Sequence, residues 1–193
     1  MALALEARAK KDDIMLGDTP KALKRRRKVQ GVRSAGRLWK HSRLTDLYGL
    51  AEDAEIAEFF VFTLVRNPWD RIVSYYHWLR AQSFDHPAVA LAGSMEFSEF
   101  LNAPHTVATL KGSPYGLYVT DRHNAERCNA FVRLEHLETD LAPVADHLGF
   151  WPDMPRVNTS ERAQNHREAY SAADRALVGE LCAADIARFG YTF

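Results

Sequence analysis

The residues best suited to chemistry lie close together in residues 62–77, which read FTLVRNPWDRIVSYYH. Arg66 ends a run of apolar residues, and Ser74 lies two helical turns further on. A guanidinium group with five N–H donors and a hydroxyl group at this spacing could bind one anion, such as a phosphate. The spacing alone leaves a second interpretation open, in which Arg66 and Arg71 are surface charges and Ser74 has no role beyond the helix.

The elements that must position these side chains are a strand and the helix that follows it. Residues 59–65 are apolar except for Thr63, which is typical of a central strand of a parallel sheet covered on both faces. Asn67 is a favourable N-cap and Pro68 a favourable first helical residue, so we predict a helix over residues 68–82. Its core stripe is expected at Ile72, Val73, Tyr76 and Leu79. Free backbone N–H groups and the positive end of the helix dipole favour an anion at such a junction.

The remaining segments complete the predicted fold. Hydrophobic patterns predict helices at residues 1–11, 137–148 and 171–189, and strands at residues 14–16 and 131–134. Strands that alternate with helices indicate an α/β fold with a parallel sheet flanked by helices. The sequence of 193 residues contains no internal repeat, which favours one domain over residues 1–193.

Charge is balanced over the whole chain but not along it. Twenty-five Lys and Arg residues match 25 Asp and Glu residues, so the net charge predicts no partner. The first 43 residues are strongly basic, and residues 21–28 read KALKRRRK. We interpret this stretch as a solvated loop and expect no nucleic-acid partner. Binding of nucleic acid or another polyanion, or of an acidic glycan, stays open as an alternative.

Cysteine content and hydropathy indicate the cellular compartment and whether a membrane span is expected. Cys128 and Cys182 are the two cysteines, and neither belongs to a CxxC pair or a cluster of metal ligands. A reducing compartment is therefore expected, with a cytoplasmic location and no bound metal. No run of 18 apolar residues is present, so no membrane span is expected within the chain, although an anchor encoded upstream stays open.

The segment VRNPWDRIVSYY, residues 65–76, resembles the part of PAPS-dependent sulfotransferases that binds the 3′-phosphate of the donor, phosphoadenosine phosphosulfate (PAPS). The resemblance is closest to the carbohydrate-sulfotransferase branch. FVRLEHLE at residues 131–138 is similar to a later strand of that family, and ADIARFGYTF at residues 184–193 to its C-terminal helix and aromatic tail. The resemblance implies that Arg66 and Ser74 bind PAPS, and that a sulfuryl group moves to a hydroxyl acceptor such as a glycan.

Transfer to a hydroxyl needs a base, and a histidine suits that task near neutral pH. Among eight histidines, His41 in the segment WKHS resembles the catalytic histidine of glycan sulfotransferases by its position before Arg66. The resemblance therefore implies a catalytic role for His41. The alternative is a helix-capping or solvent-exposed histidine beside the basic stretch.

One part of the family pattern is missing from this sequence. Sulfotransferases open with a strand and a Pro-Lys-x-Gly-Gly-Thr type loop, whose amides and lysine hold the phosphosulfate. This chain has no Gly-Gly pair, and its first glycine is Gly17. The resemblance thus implies a P-loop nucleotide-binding type fold that lacks the first strand and the loop. The start of the chain is either assigned too late, or the protein is a truncated relative that binds only the 3′-phosphate end of the nucleotide.

Overall fold

The computed structural model of this chain describes residues 1–155 and 165–193. Within these residues the chain divides into two compact units. The first unit comprises Met1–Leu64, Gly116–Val132 and residues 136–155. The second unit comprises Val65–Tyr115, Arg133–Glu135 and residues 165–193. A single domain over residues 1–193 stays a prediction.

The first unit contains nearly all of a two-stranded parallel sheet. Its strands are β1 (Val61–Val65) and β2 (Cys128–Arg133). Two of the three predicted strands are therefore confirmed, with β2 beginning three residues earlier than expected. The prediction of a strand at residues 14–16 is wrong, because Met15 and Leu16 pair with no neighbouring strand and instead line a pocket. In the described residues β2 is the one hydrogen-bonded neighbour of β1, so the P-loop type arrangement also stays a prediction.

Eleven α-helices lie in the described residues. Those of the first unit are α1 (Ala2–Arg8), α2 (Pro20–Arg25), α3 (Asp53–Glu58), α8 (Leu137–Asp140) and α9 (Ala142–Leu148). Those of the second unit are α4 (Pro68–Arg80), α5 (Pro87–Ser94), α6 (Phe97–Asn102), α7 (Pro104–Lys111), α10 (Ala172–Leu181) and α11 (Ala183–Phe189). Short 3₁₀ helices occur at Arg26–Val29, Leu44–Leu47, Tyr115–Tyr118, Leu134–His136 and His166–Ala169. Among the described helices, none combines the length and the apolar composition that a membrane span requires.

The core of the first unit forms where β2 meets α9. Val132 of β2 and Val144 of α9 are fully buried, and Leu141 packs beside them at 1% exposure. Half-buried side chains of β1, including Phe62 and Leu64, close this cluster. Burial of these apolar side chains fixes the sheet against the helix, because removing apolar surface from water is the dominant favourable contribution to folding.

The core of the second unit is built around α4. The predicted core stripe is confirmed, since four of its side chains are 1–2% exposed: Ile72, Val73, Tyr76 and Leu79. They pack against Phe100 and Leu101 of α6, which are fully buried. This packing buries one face of α4 within the second unit.

The C-terminal region differs from its prediction in one respect. Residues 171–189 form two helices rather than one, because the chain leaves the helical conformation at Cys182 between α10 and α11. The predicted boundaries are confirmed: the Ser171 side chain accepts a hydrogen bond from the Asp174 N–H at 3.1 Å, and Gly190 ends α11 at a φ of 66°. A positive φ is readily adopted by glycine, which makes it a common helix terminator.

Candidate functional site

Arg66 is the first residue after β1, and an acidic residue of α4 holds its side chain. Its Nε donates to Oδ2 of Asp70 at 2.5 Å, and its Nη2 forms an ion pair with the same carboxylate. The side chains are 27% and 18% exposed, so the pair is shielded from water without being sealed off. Because this contact uses Nε and Nη2, the N–H groups of Nη1 are the natural donors to an incoming anion.

Ser74 continues the same face of α4. Asp70 lies four residues after Arg66, and Ser74 lies four residues after Asp70. Side chains spaced by four residues are neighbours on a helix surface. Ser74 is half-buried in the middle of α4, one helical turn beyond Asp70. Ser74 thus follows Asp70 on one face of α4, and Arg66, which precedes the helix, contacts that face through its ion pair with Asp70.

Two backbone amides at the start of α4 already have hydrogen-bond partners, whereas the sequence predicted free amides. The Asn67 N–H donates to Oε1 of Glu135 at 2.6 Å, and the Trp69 N–H donates to Oδ1 of Asn67 at 3.1 Å. The prediction that these amides are free to bind an anion is wrong, because two side chains already accept their hydrogen bonds. Glu135 also places a negative charge at the positive end of the α4 dipole. The side chains of Arg66 and Ser74 stay the predicted anion-binding groups at this junction.

The C-terminal residues contact the turn between β1 and α4. The Asn67 side-chain amide donates to the Thr192 carbonyl at 2.8 Å, and the Tyr191 hydroxyl lies 3.4 Å from Oε2 of Glu135. The Phe193 ring packs edge-on against Trp69, with ring centroids 5.6 Å apart. The chain terminus thus fixes the conformation of the residues that follow β1.

Several residues that shape this site were not found from the sequence. Asp70 could have been found from the sequence, since an acidic residue four positions after an arginine commonly forms an ion pair with it. Tyr115 and Glu135 could not have been found, because they lie about 50 and 70 residues away from the turn that they contact. The Tyr115 hydroxyl donates to the Arg66 carbonyl, and its ring lies 4.9 Å below the Arg71 guanidinium. Arg71 therefore packs on an aromatic ring, which differs from the interpretation of a simple surface charge.

His41 lies in the first unit, in a turn that precedes the 3₁₀ helix at Leu44–Leu47. Ser42 orders this turn, because its Oγ accepts from the Trp39 N–H at 2.8 Å and lies 2.9 Å from the Arg37 carbonyl. The His41 ring packs edge-on against Trp39, with centroids 4.7 Å apart. Its side chain is exposed, and the residue that precedes the 3₁₀ helix is Arg43, so His41 is not the cap of that helix.

A close backbone contact anchors the segment before His41. The Ala35 N–H donates to the Tyr48 carbonyl at 2.8 Å. A Cβ added at Gly36 would lie 2.0 Å from Oδ1 of Asp46, far inside van der Waals contact. The absence of a side chain at Gly36 is therefore what allows this segment to approach the residues around Asp46.

The electrostatic surroundings of His41 suit a proton acceptor. Desolvation lowers the pKa of the imidazole from its ordinary value, and the positive charge of Lys40 lowers it further. The carboxylate of Asp18 opposes this change. A lowered pKa keeps the imidazole neutral near pH 7, and the neutral form is the one that accepts a proton.

Comparison with known proteins decides the family. A family model described as the sulfotransferase family matches residues 18–192 of this chain. The chain belongs to the sulfotransferase family. No curated protein and no solved structure shows a significant match to it.

In this sulfotransferase the predicted site residues fall into two groups. Arg66, which precedes α4, and Ser74, which lies on α4, belong to the second unit, whereas His41 belongs to the first unit. All three lie inside the matched range. The part of the sulfotransferase that the structure describes has no group of three or more His, Cys, Asp or Glu side chains that could hold a metal ion.

Proposed function

We propose that this sulfotransferase moves a sulfuryl group from PAPS to a hydroxyl group of a carbohydrate acceptor. The family match supports sulfuryl transfer in general. The observation that carries the donor assignment is the ion pair of Arg66 with Asp70 on the face of α4 that also carries Ser74. The resemblance of residues 65–76 to the carbohydrate branch supports the choice of acceptor.

In this proposal Arg66 and Ser74 bind the 3′-phosphate of the donor. Nη1 of Arg66 donates charge-assisted hydrogen bonds to the phosphate, and the Ser74 hydroxyl adds a neutral one. Asp70 orients the guanidinium in advance, so less side-chain entropy is lost when the nucleotide binds. The half-buried ion pair also keeps the guanidinium at the end of β1 before the nucleotide arrives.

His41 is the proposed base. As the acceptor oxygen forms its bond to sulfur, the imidazole takes the proton from that hydroxyl. The bond between sulfur and the bridging oxygen of PAPS breaks, and adenosine 3′,5′-bisphosphate leaves with the electron pair. The lowered pKa of His41 keeps the imidazole ready for this step at neutral pH.

Replacing Arg66 by alanine tests the donor assignment. We expect Arg66→Ala to weaken binding of adenosine 3′,5′-bisphosphate by roughly 1.5–3 kcal/mol, the range for hydrogen bonds to a charged group. Isothermal titration calorimetry measures this change. Arg80→Ala is the matched control, since Arg80 is exposed at the far end of α4 and bonds to the Tyr76 hydroxyl. Equal affinities of Arg66→Ala and the unaltered protein would remove the assignment.

Ser74→Ala is expected to have a smaller effect on the same measurement. A neutral hydroxyl contributes about 0.5–1.5 kcal/mol, so the loss of affinity should stay below that of Arg66→Ala. A Ser74→Ala loss larger than the Arg66→Ala loss would contradict the proposed division of roles.

A second function is favoured by one sequence feature, the lack of a Gly-Gly pair for the phosphosulfate loop. In that case the protein binds the 3′-phosphate end of the nucleotide without transferring a sulfuryl group. Measurable affinity for adenosine 3′,5′-bisphosphate with no turnover of PAPS on any hydroxyl acceptor would support this function. Turnover that depends on Arg66 would support sulfuryl transfer.

A further inference from the structure

The ion pair of Arg66 and Asp70 has a third member, His166, which comes from the 3₁₀ helix at His166–Ala169. Oδ2 of Asp70 accepts from Nε of Arg66, and Oδ1 of the same carboxylate lies 3.8 Å from Nδ1 of His166. One carboxylate therefore faces two basic side chains, one on each oxygen. The side chains of His166 and Asp70 are both 18% exposed, so the contact is largely shielded from water. All three residues belong to the second unit.

The position of His166 beside the start of α4 is fixed by contacts other than the one with Asp70. The Tyr170 hydroxyl donates to the Trp69 carbonyl at 2.8 Å, which ties the end of the 3₁₀ helix to the first turn of α4. The ring of His166 packs edge-on against the ring of Phe193, with centroids 5.8 Å apart. The fold thus holds the imidazole against the carboxylate instead of leaving it on a mobile surface side chain.

The charges explain why a second basic group at Asp70 matters for an anion. A phosphate is attracted by the guanidinium of Arg66 but repelled by the carboxylate of Asp70, and two opposite unit charges a few ångströms apart largely cancel at the distance of a ligand. An imidazole that carries a proton on Nδ1 turns a positive atom toward Oδ1. His166 then offsets part of the negative charge of Asp70 and restrains the carboxylate that restrains Arg66.

We propose that His166 is a positioning residue for the sulfate donor, which acts through Asp70 to orient Arg66 and to strengthen its attraction for the 3′-phosphate. This inference rests on the proposed function, in which Arg66 binds that phosphate. The role is separate from that of the proposed base, His41, which belongs to the first unit.

Two substitutions at position 166 separate the contact with Asp70 from the packing of the ring. His166→Phe keeps an aromatic ring against Phe193 and removes Nδ1, whereas His166→Asn removes the ring and keeps a side-chain N–H group close to the position of Nδ1. By isothermal titration calorimetry we expect His166→Phe to weaken binding of adenosine 3′,5′-bisphosphate by about threefold to tenfold. The loss in His166→Asn should be smaller. A larger loss in His166→Asn than in His166→Phe would show that the ring acts by packing and would overturn the inference.

A double-mutant cycle tests whether His166 acts through Asp70. Asp70→Asn keeps an oxygen that can accept from Arg66 but removes the negative charge that faces His166. In the Asp70→Asn background, His166→Phe should therefore change the nucleotide affinity by less than about twofold. Equal losses from His166→Phe in the two backgrounds would show that His166 does not act through Asp70.

Arg167→Gln is the matched control for charge. Arg167 is exposed on the same 3₁₀ helix, and its guanidinium lies 5.8 Å from the centre of the Phe193 ring. The substitution removes a full positive charge next to His166, and screening by salt should keep the change in nucleotide affinity below about twofold. A loss as large as that of His166→Phe would indicate a diffuse charge effect and would refute a specific role for His166.

Arg66→Ala, measured in the same series, separates this inference from the proposed function. A loss of nucleotide affinity in Arg66→Ala with none in His166→Phe would overturn the inference and keep the donor assignment. Equal affinities of Arg66→Ala and the unaltered protein would overturn both. Losses in both variants, with the loss from His166→Phe abolished by Asp70→Asn, are the expected result.

Discussion

Replacing His41 by alanine is expected to lower the turnover number for sulfuryl transfer by about 10²–10⁴, the usual contribution of a general base. Its affinity for adenosine 3′,5′-bisphosphate should stay nearly unchanged, because the residues assigned to that ligand are Arg66 and Ser74. The structure supports the choice of His41 through its ordered turn and its lowered pKa. Steady-state kinetics with radiolabelled PAPS measure the turnover.

Two controls separate a base from a structural histidine. His105→Ala removes another exposed histidine, on α7, and should leave turnover unaltered. Added imidazole should restore part of the lost turnover in His41→Ala, since a small base can enter the space left by the side chain. Turnover within threefold of the unaltered protein in His41→Ala would show that another group is the base.

The pH dependence of turnover gives a third readout of His41. A base must be deprotonated, so turnover falls as pH drops through the pKa of His41. Lys40 helps to lower that pKa, and Lys40→Ala should therefore move the acidic limb of the profile to higher pH. An unaltered acidic limb in Lys40→Ala would contradict the assignment of that limb to His41.

Replacing Asp174 by alanine is expected to destabilise the second unit by about 3 kcal/mol. Asp174 is 3% exposed, and its carboxylate accepts hydrogen bonds from Ser98 at 2.8 Å, Asn102 at 2.8 Å and Ser171 at 2.7 Å. Alanine removes three hydrogen bonds to one buried, charged acceptor, and such bonds contribute more than those between neutral groups. Chemical denaturation measures the change, and Asp153→Ala, an exposed acid, is the control.

Asp174 also predicts how stability depends on pH. Burial by itself raises the pKa of this carboxyl, but the hydrogen bonds from Ser171, Ser98 and Asn102 outweigh burial and lower it. The stability that Asp174 contributes is therefore complete above its ordinary pKa and is lost as pH falls toward the lowered value. Asp174→Asn cannot titrate, so its unfolding midpoint should fall less between pH 5 and pH 3 than that of the unaltered protein. Parallel midpoints would contradict the role given to this carboxylate.

The local features of the site could be predicted from the sequence because their causes are local. An apolar run followed by Asn67 and Pro68 specifies a strand, a cap and a helix start within ten residues. The four-residue spacing from Asp70 to Ser74 fixes one face of α4 regardless of what packs around it. The stripe beginning at Ile72 similarly identified the buried face of α4.

Two helix starts could have been predicted from the sequence but were not. Pro87 and Pro104 each occupy the first position of a helix, which is a favoured place for proline. The helices that these two prolines begin were not among those predicted from the sequence. The strand predicted at residues 14–16 is not formed. A strand needs a hydrogen-bonding partner, and a short apolar run does not show whether one is present.

The sequence by itself determined the family and the β1–α4 junction, and it predicts which residues bind a phosphate there. Only the tertiary structure decided which groups complete the hydrogen bonds of that junction. Glu135 accepts from the Asn67 N–H, the Thr192 carbonyl accepts from the Asn67 side chain, and the Tyr115 hydroxyl donates to the Arg66 carbonyl. The tertiary structure also brings residues of the basic stretch together around a pocket. These contacts join residues about 50 to 125 positions apart, and side-chain spacing predicts neighbours only within one helix or between paired strands. Which distant residues meet is set by the packing of the core, so it cannot be read from any one segment.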